Sequence, residues 1–240
     1  MARVAFGLKR GDVLVGKYRV CSLLGAGWEG EVYLVREIST GIERSAKIFF
    51  PRRNPGNRAV RFYAKKLHKL RHCPILIQYH TQERVELEDA TLTMLVSEYV
   101  EGELLSALLR RQPGGRLEPF EAMHLLHTLA DGIEVIHDRG EYHGDLHTDN
   151  VLVQRRGLGF DVKLVDMYRW GAPSAANIQE DVVNLVHMFH EAVGGARRYA
   201  RQPSEVKDIC RGLKRSLILE RFRTAGHLRQ YLETFAWTSR

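Results

Sequence analysis

The sequence predicts an α+β fold in two parts, a small antiparallel sheet with one main helix and then a larger, mainly helical part. Between residues 18 and 50, short strand-like runs are broken by glycines, which is typical of antiparallel strands. Beyond residue 103, apolar side chains recur mainly at the three- and four-residue spacing of helices. A chain of 240 residues, 44% hydrophobic and 27% charged, is long enough for one large or two small cores.

The elements that follow the first strands are predicted from the same periodicity. Residues 60–70 are predicted to form a helix, and two further strands are predicted around residues 77–87 and 91–99, separated by the acidic turn Glu88-Asp89. The apolar residues that recur in the helix are Val60, Ala64, Leu67 and Leu70.

The larger part is predicted to begin with helices at residues 104–110 and 120–138. The second of these carries one apolar stripe, formed by Ala122, Leu125, Leu126, Leu129, Ile133 and Ile136. Strands are expected to return only around the segment of residues 142–152, and the remainder is predicted to be helical.

Composition excludes several classes of protein. No apolar stretch approaches the roughly 20 residues that cross a bilayer, and residues 1–9 lack the apolar core of a secretion signal. We therefore expect no transmembrane segment and a cytoplasmic protein. Cys21, Cys73 and Cys210 are odd in number, far apart and without metal-ligand spacing, so we expect buried structural thiols and neither a disulfide nor a zinc site.

A cluster of glycines at positions 25, 27 and 30 predicts a phosphate-binding turn. Glycine permits backbone angles closed to other residues and lets main-chain N–H groups approach phosphate oxygens. A dinucleotide fingerprint would run from a strand into a helix, whereas residues 31–35 are β-branched or aromatic and predict a second strand. Lys47 follows inside the apolar run of residues 46–50. The pattern is thus a glycine turn between two strands, then a strand that carries a lysine.

A second cluster, YHGDLHTDNVL at residues 142–152, indicates phosphate and metal chemistry. Asp145 and Asn150 lie five positions apart, and Asp166 ends the apolar run of residues 162–165. Magnesium prefers a few oxygen ligands and takes the rest of its shell from phosphates and water. Phosphoryl transfer also needs a carboxylate that orients the attacking hydroxyl group.

Together the two clusters resemble the protein kinase family. Further segments are similar to the family's landmarks and occur in its order: residues 11–20 to the start of bacterial Hanks-type kinases, 95–102 to the hinge, 120–137 to the helix before the catalytic loop, 181–185 to the anchoring helix of the large lobe, and 220–225 to the arginine-containing turn. The resemblance implies one kinase-like domain over residues 1–240. Its N-lobe would span about 11–97, its hinge about 98–102 and its C-lobe about 103–237.

The resemblance also implies ATP and Mg²⁺ as cofactors and a role for each matching residue. Asp145 would be the catalytic aspartate, and Asn150 and Asp166 the metal ligands. The residues implied to bind the nucleotide are Gly25, Gly27 and Gly30 over the phosphates, Lys47 on the α- and β-phosphates, the main chain of Glu98 and Val100 on the adenine, and also Val32 and Glu103. Glu103 would bond the ribose or be a solvated acid at a helix start. His143 is expected to brace the loop, and Asp181 to accept its backbone N–H groups.

Two departures from the family concern the lysine and the metal-binding triplet. Many active kinases pair the strand lysine with a glutamate of the next helix, but Tyr63 stands at that place and residues 44–82 contain no acid. Lys47 could pair with Asp166, the helix could sit differently, or the protein could be a pseudokinase. The triplet is Asp166-Met167-Tyr168 instead of Asp-Phe-Gly, with Met167 expected to fill an apolar pocket.

Other departures concern control and substrate. Only 15 positions separate Asp166 from Asp181, which leaves little room for a phosphorylation-controlled loop, and Ala172-Pro173-Ser174 stands as a remnant of Ala-Pro-Glu. Gly144 replaces an arginine that contacts such a loop, and His147 replaces a lysine of serine/threonine kinases. The leading prediction is a serine/threonine protein kinase. The alternatives are a small-molecule or atypical kinase, since His-Gly-Asp-Leu-His is closer to aminoglycoside phosphotransferases, and a regulatory pseudokinase.

A basic stretch over residues 44–71 suggests an interaction with an acidic partner. It contains Arg44, Arg52, Arg53, Arg58, Arg61, Lys65, Lys66, Lys69 and Arg71 and no acid. A solvated basic helix face is the simpler explanation. Aromatic residues are sparse there, so nucleic-acid binding is not favoured.

Overall fold

The computed structural model describes residues 6–87, 90–157, 159–167 and 171–235. The chain forms two compact units. The first unit is the chain up to His72 together with Ile77–Val100, and the second is Cys73–Leu76 together with the chain from Glu101 onward.

The first unit is built on a six-stranded antiparallel sheet. Its strands and α-helix are β1 (Val13–Leu14), β2 (Tyr18–Ala26), β3 (Gly30–Glu37), β4 (Glu43–Phe49), α1 (Arg58–Lys69), β5 (Tyr79–Leu87) and β6 (Ala90–Glu98). The strands pair in the order β1-β2-β3-β4-β6-β5. The predicted antiparallel sheet with one main helix is therefore confirmed. The predicted turn Glu88-Asp89 lies outside the described residues.

The core of this unit is formed by alternate residues of neighbouring strands. Tyr33 and Val35 of β3 and Ala46 and Ile48 of β4 are at most 2% exposed. Tyr33 pairs directly with Ala46 in the ladder. Successive side chains of a strand point to opposite faces, so this alternation places one face of each strand in the core. Full burial of a side chain such as Ile48 contributes about 1.5–3 kcal/mol to folding.

Helix α1 confirms the helix predicted over residues 60–70. It follows Asn57, which has a left-handed backbone with φ of 58°. Three of the four predicted apolar positions, Val60, Leu67 and Leu70, are buried. The helix is thus amphipathic. No acid lies in its first turn, so its stability depends on the packing of the buried face more than on interactions at its N-terminus.

The second unit is mainly helical. Its elements are β7 (Glu103–Leu104), α2 (Leu105–Arg111), α3 (Pro119–Asp138), β8 (Val151–Arg156), β9 (Gly159–Leu164), α4 (Ala175–Ala192), α5 (Gly195–Tyr199), α6 (Ser204–Cys210), α7 (Arg215–Arg221) and α8 (Ala225–Thr234). A small antiparallel sheet has the order β7-β8-β9. The predicted apolar stripe of α3 is buried at all six positions.

The segment Cys73–Leu76 belongs to the second unit, although it falls inside the range predicted for the N-lobe. The Leu164 N–H group donates to the Ile75 carbonyl oxygen at 2.7 Å. Gly132 of α3 lies so close to this segment that an added Cβ would be 2.2 Å from Ile75 Cδ1. Main-chain pairing and close packing, which residue order alone does not indicate, therefore fix these four residues to the helical unit.

Two predictions from composition can be compared with the structure. No helix in the described part of the chain has the length and apolar character that a membrane span needs. All three cysteines are free, and Cys73 and Cys210 are buried as predicted. The prediction was wrong for Cys21, which is partly exposed. It follows Val20 in β2, where Tyr18 and Val20 are buried and Arg19 is exposed, so the alternation of the strand places Cys21 on the outward face with Arg19.

Candidate active site

The glycine turn joins β2 to β3 in the first unit. The Gly27 N–H group donates to the Gly30 carbonyl oxygen at 2.9 Å. None of Gly25, Gly27 and Gly30 has a positive φ, so the expectation that they supply backbone angles closed to other residues was wrong. A Cβ added at Gly25 or Gly27 would meet no atom within 4 Å, whereas at Gly30 it would lie 2.0 Å from the Ile48 carbonyl oxygen. The lack of a side chain at Gly30 therefore lets the start of β3 lie close to β4, whereas the space beside Gly25 and Gly27 is open.

Lys47 lies on β4 and pairs in the ladder with Val32 of β3. Its Nζ donates to Glu29 Oε2 at 2.6 Å, and both side chains are only 11% exposed. Glu29 belongs to the glycine turn. The sequence reasoning missed this acid because it looked for one on the helix. Glu29 could have been found from the sequence, since it lies among the three glycines of the turn.

Tyr63 of α1 occupies the place predicted for it near the lysine. It is buried, and Lys47 Nζ lies 5.5 Å from its ring centroid and 5.3 Å from that of Phe49. Aromatic rings stabilise a nearby cation through their quadrupoles. The proposed pairing of Lys47 with Asp166, which lies in the second unit, stays a prediction.

Glu98 ends β6, and Val100 follows it at the end of the first unit. The Glu98 N–H group donates to the Gln78 carbonyl oxygen at 2.9 Å, and the Gln78 N–H group donates to Glu98 Oε1 at 3.0 Å. The N–H group of Glu98 is therefore engaged in the sheet. If this residue contributes its main chain to adenine binding, as predicted, the carbonyl oxygen is the group that can do so.

Glu103, the predicted ribose ligand, is held by an arginine of its own unit. Arg111 Nε donates to the two carboxylate oxygens of Glu103 at 2.8 and 3.1 Å. Arg111 lies in the last turn of α2, where a cation is favourable. A ribose hydroxyl would therefore have to share this carboxylate with Arg111.

The predicted catalytic loop, which lies within residues 142–152 of the second unit, is fixed by Asp181 of α4 and by His143. Asp181 Oδ2 accepts the His143 N–H group at 2.7 Å, and Asp181 Oδ1 accepts the Gly144 N–H group at 2.8 Å. The His143 ring lies with Nε2 at 3.1 Å from the Val165 carbonyl oxygen, while Nδ1 accepts the Asp145 N–H group at 3.3 Å. Both side chains are fully buried. The scaffold roles predicted for Asp181 and His143 are confirmed.

Asp145 presents an exposed carboxylate on this fixed loop, and Asn150 and His147 lie beside it. Asn150 Nδ2 donates to the Asp145 carbonyl oxygen at 2.8 Å and to Asp145 Oδ2 at 3.3 Å. His147 Nε2 lies 2.9 Å from the same amide nitrogen and 3.6 Å from Asp145 Oδ2. An accessible carboxylate with a fixed backbone can accept a proton from a bound hydroxyl group.

Asp166 lies two residues after the hairpin of β8 and β9, and Asn150 directly precedes that hairpin. The Val165 N–H group donates to the Asn150 carbonyl oxygen at 3.0 Å. The residue before Asp166 is therefore bonded to the main chain of Asn150, the other predicted metal ligand. Asp166 has a left-handed backbone with φ of 58°, which is uncommon for a non-glycine residue and is found at functional sites. Met167 is buried as predicted, and Tyr168 lies outside the described residues.

Each unit carries groups of the type that bind a metal ion or phosphate. In the second unit, the bonds of Asn150 to Asp145 use its amide nitrogen, and an amide oxygen and a carboxylate, such as those of Asn150 and Asp166, are the type of ligand that Mg²⁺ takes. In the first unit, the open space at Gly25 and Gly27 and the Lys47 ammonium suit phosphate oxygens.

The family model described as "protein kinase domain" matches residues 18–195 of this chain. The chain belongs to the protein kinase family. The predicted family is thereby confirmed. Protein kinases use ATP and a divalent metal ion. The oxygen atoms suited to a metal ion in the second unit and the groups suited to phosphate in the first unit agree with this use.

Relatives and solved structures agree with this family. The chain is 34% identical over 171 residues to the serine/threonine-protein kinase pkn2 of Myxococcus xanthus, covering 69% of this chain and 20% of the relative. It is 30% identical over 188 residues to a putative cyclin-dependent kinase F-2 of Oryza sativa subsp. japonica, covering 76% and 57%. This kinase chain therefore spans only part of the relatives that it matches.

The fold is shared with a bacterial kinase of known structure. A double mutant of the Mycobacterium tuberculosis PknI kinase domain superposes with a TM-score of 0.68 at 19% identity, covering 95% of this chain and 97% of that one. A single mutant of the same domain gives 0.68 at 20% identity. The predicted fold class, a kinase-like α+β fold, is confirmed.

The basic stretch of residues 44–71 is not one uniform surface. Lys66 is buried, so it does not belong to an exposed patch. The Arg53 guanidinium lies 3.8 Å from the ring centroid of Trp28, and the Arg44 guanidinium lies 2.9 Å from His80 Nε2. An acidic partner for the remaining exposed cations stays a prediction.

Proposed function

We propose that this kinase chain is a Mg²⁺-dependent serine/threonine protein kinase that transfers the γ-phosphate of ATP to a protein hydroxyl group. The observation that carries the proposal is the exposed Asp145 carboxylate on a loop fixed by Asp181 and His143, with Asn150 bonded to it. Serine/threonine kinases among its relatives support the class of acceptor.

Each unit contributes different groups to the reaction. From the first unit, Lys47 would neutralise the α- and β-phosphates, the main chain near Gly25 and Gly27 would approach phosphate oxygens, and Val32 would contact the nucleotide. The Glu98 carbonyl oxygen and the main chain of Val100 would bind the adenine. Charge neutralisation and positioning are the main sources of catalysis in phosphoryl transfer.

The second unit would act on the acceptor. Asp145 would orient the acceptor hydroxyl group and accept its proton as the oxygen attacks the γ-phosphorus and the bond to ADP breaks. Asn150 and Asp166 would hold Mg²⁺, which when bound neutralises the phosphate charge. His147 lies beside Asn150, with Nε2 2.9 Å from the amide nitrogen and Nδ1 accepting the Asp149 N–H group at 3.3 Å.

The proposal is tested by phosphoryl transfer from labelled ATP and Mg²⁺ to a generic protein substrate. Asp145→Ala and Asp166→Ala are expected to abolish the label on protein. Asp161→Ala is the matched control, because Asp161 is an exposed carboxylate of the same unit whose ion pair with Arg156, at 2.8 Å, lies outside the loop that carries Asp145. Transfer that survives Asp145→Ala, or no transfer by the unmodified chain to any protein hydroxyl, would refute the proposed function.

A further inference from the structure

An acid of the glycine turn, and not of a helix, pairs with Lys47 in the first unit. Glu29 Oε2 lies 2.6 Å from Lys47 Nζ. Each side chain is about nine-tenths buried, and in such surroundings a charge is stable only when it is paired and hydrogen-bonded. The contact is therefore a part of the folded unit and not a chance meeting of two mobile surface chains.

The main chain of Glu29 is tied to the strand that carries Lys47. The Phe50 N–H group, one residue past β4, donates to the Glu29 carbonyl oxygen at 2.8 Å. The next residue, Gly30, lies so close to Ile48 that only glycine fits there. The backbone at Glu29 is thus held against β4, and its carboxylate has a defined position relative to the lysine.

Helix α1 offers the lysine aromatic contact but no acid at the matching position. Tyr63 is buried there with its ring centroid 5.5 Å from Lys47 Nζ. A ring attracts a cation without fixing the direction of its N–H bonds, whereas a carboxylate accepts a short charge-assisted hydrogen bond. Among these neighbours, Glu29 is the one that can orient the ammonium group.

We propose that Glu29 is the positioning residue for Lys47 and replaces the helix glutamate that many other kinases use. The inference rests on the proposed function, because it assigns Lys47 to the nucleotide phosphates. Lysine carries a point charge on a flexible four-carbon chain. A fixed acid restricts this chain before the ligand binds, so the lysine side chain loses less conformational freedom on binding. An ammonium group has three donors, and a bond to Glu29 therefore does not preclude contact with phosphate oxygens.

The test compares the binding of ADP and of adenosine, both in the presence of Mg²⁺, by direct titration without turnover. Glu29→Gln is expected to weaken ADP binding by roughly tenfold, the size of a coupling between contacting residues, and to leave adenosine binding unchanged. The matched control is Glu31→Gln, which neutralises a buried acid two positions away that bonds the Tyr33 hydroxyl and the Phe6 N–H group. It is expected to alter both affinities little.

A rescue variant separates positioning from simple damage to the fold. The double variant Glu29→Gln/Tyr63→Glu returns an acid to the helix, at a side chain already close to Lys47, and is expected to recover most of the ADP affinity. Unchanged or tighter ADP binding by Glu29→Gln would overturn the inference, the latter because Glu29 would then compete with phosphate. Equal losses for ADP and adenosine, or no recovery in the double variant, would also overturn it. Absence of ADP binding by the unmodified chain would instead refute the proposed function on which the inference rests.

Discussion

The carboxylate of Asp181 accepts the main-chain N–H group of Gly144 at 2.8 Å, and this bond fixes the residue directly before Asp145. The other oxygen of Asp181 accepts the His143 N–H group at 2.7 Å and lies 3.1 Å from His137 Nε2. Asp181 is 0% exposed, so these donors replace the water that a buried carboxylate loses. The conformation of the catalytic loop thus depends on a charged residue of α4.

Asp181→Asn is expected to lower both stability and phosphoryl transfer. The amide would present an N–H group to a main-chain N–H group, so at least one charge-assisted bond is lost and a buried donor is left without an acceptor. The expected loss in free energy of unfolding is about 2–4 kcal/mol, measured by urea denaturation. Asp161→Asn, an exposed control, should change it by less than about 0.5 kcal/mol. Equal stability of the two variants would contradict the scaffold role of Asp181.

Gly144→Ala tests the backbone requirement of the same loop. Gly144 has φ of 85°, a conformation that costs alanine about 1–2 kcal/mol. We expect a loss of stability of that size and a fall in transfer rate, since the strain acts on the residue before Asp145. Gly159→Ala is the control, because Gly159 does not have a positive φ and the nearest atom to its added Cβ is 3.9 Å away. A variant at Gly144 as stable as the control would show that this loop does not need glycine.

Much of this fold could be predicted from the sequence because its elements depend on local periodicity. The stripe of α3 and three of the four apolar positions predicted for residues 60–70 are buried as their spacing indicates. The two roles in the catalytic loop that the structure confirms, those of His143 and Asp181, came from the motif order that the chain shares with its family. In both cases the information lies within one segment or one motif.

The parts that could not be predicted depend on contacts between segments. The pairing of Glu29 with Lys47 requires the turn and β4 to be folded against each other. Gly30 was expected to serve the phosphates through its backbone angles, but the structure explains it by the approach of Ile48. Neither residue spacing nor composition indicates which residues of different segments will lie this close together.

Ser174→Ala is expected to lower stability without lowering phosphoryl transfer. Ser174 is the N-cap of α4, where its Oγ accepts the Asn177 N–H group at 3.3 Å. Loss of such a cap costs about 1 kcal/mol, and aspartate can replace it. We therefore expect Ser174→Asp to keep the stability of the unmodified chain and both variants to keep its transfer rate per folded molecule. A requirement for phosphorylated Ser174 would contradict the prediction that activity does not depend on phosphorylation of the short segment.

The three thiols are expected to differ in reactivity because they differ in burial. Burial raises the pKa of the Cys210 thiol to about 12 and that of Cys73 above its ordinary value, and the thiolate is the reactive form. Cys21 is partly exposed. At pH 8, a thiol reagent followed by mass spectrometry should therefore modify Cys21 rapidly in the folded protein, and the other two only after unfolding in guanidinium chloride. Cys21→Ser, the control, should remove the rapid phase. Modification of Cys210 in the folded chain as fast as that of Cys21 would mean that the packing around α6 opens much more readily than its burial implies.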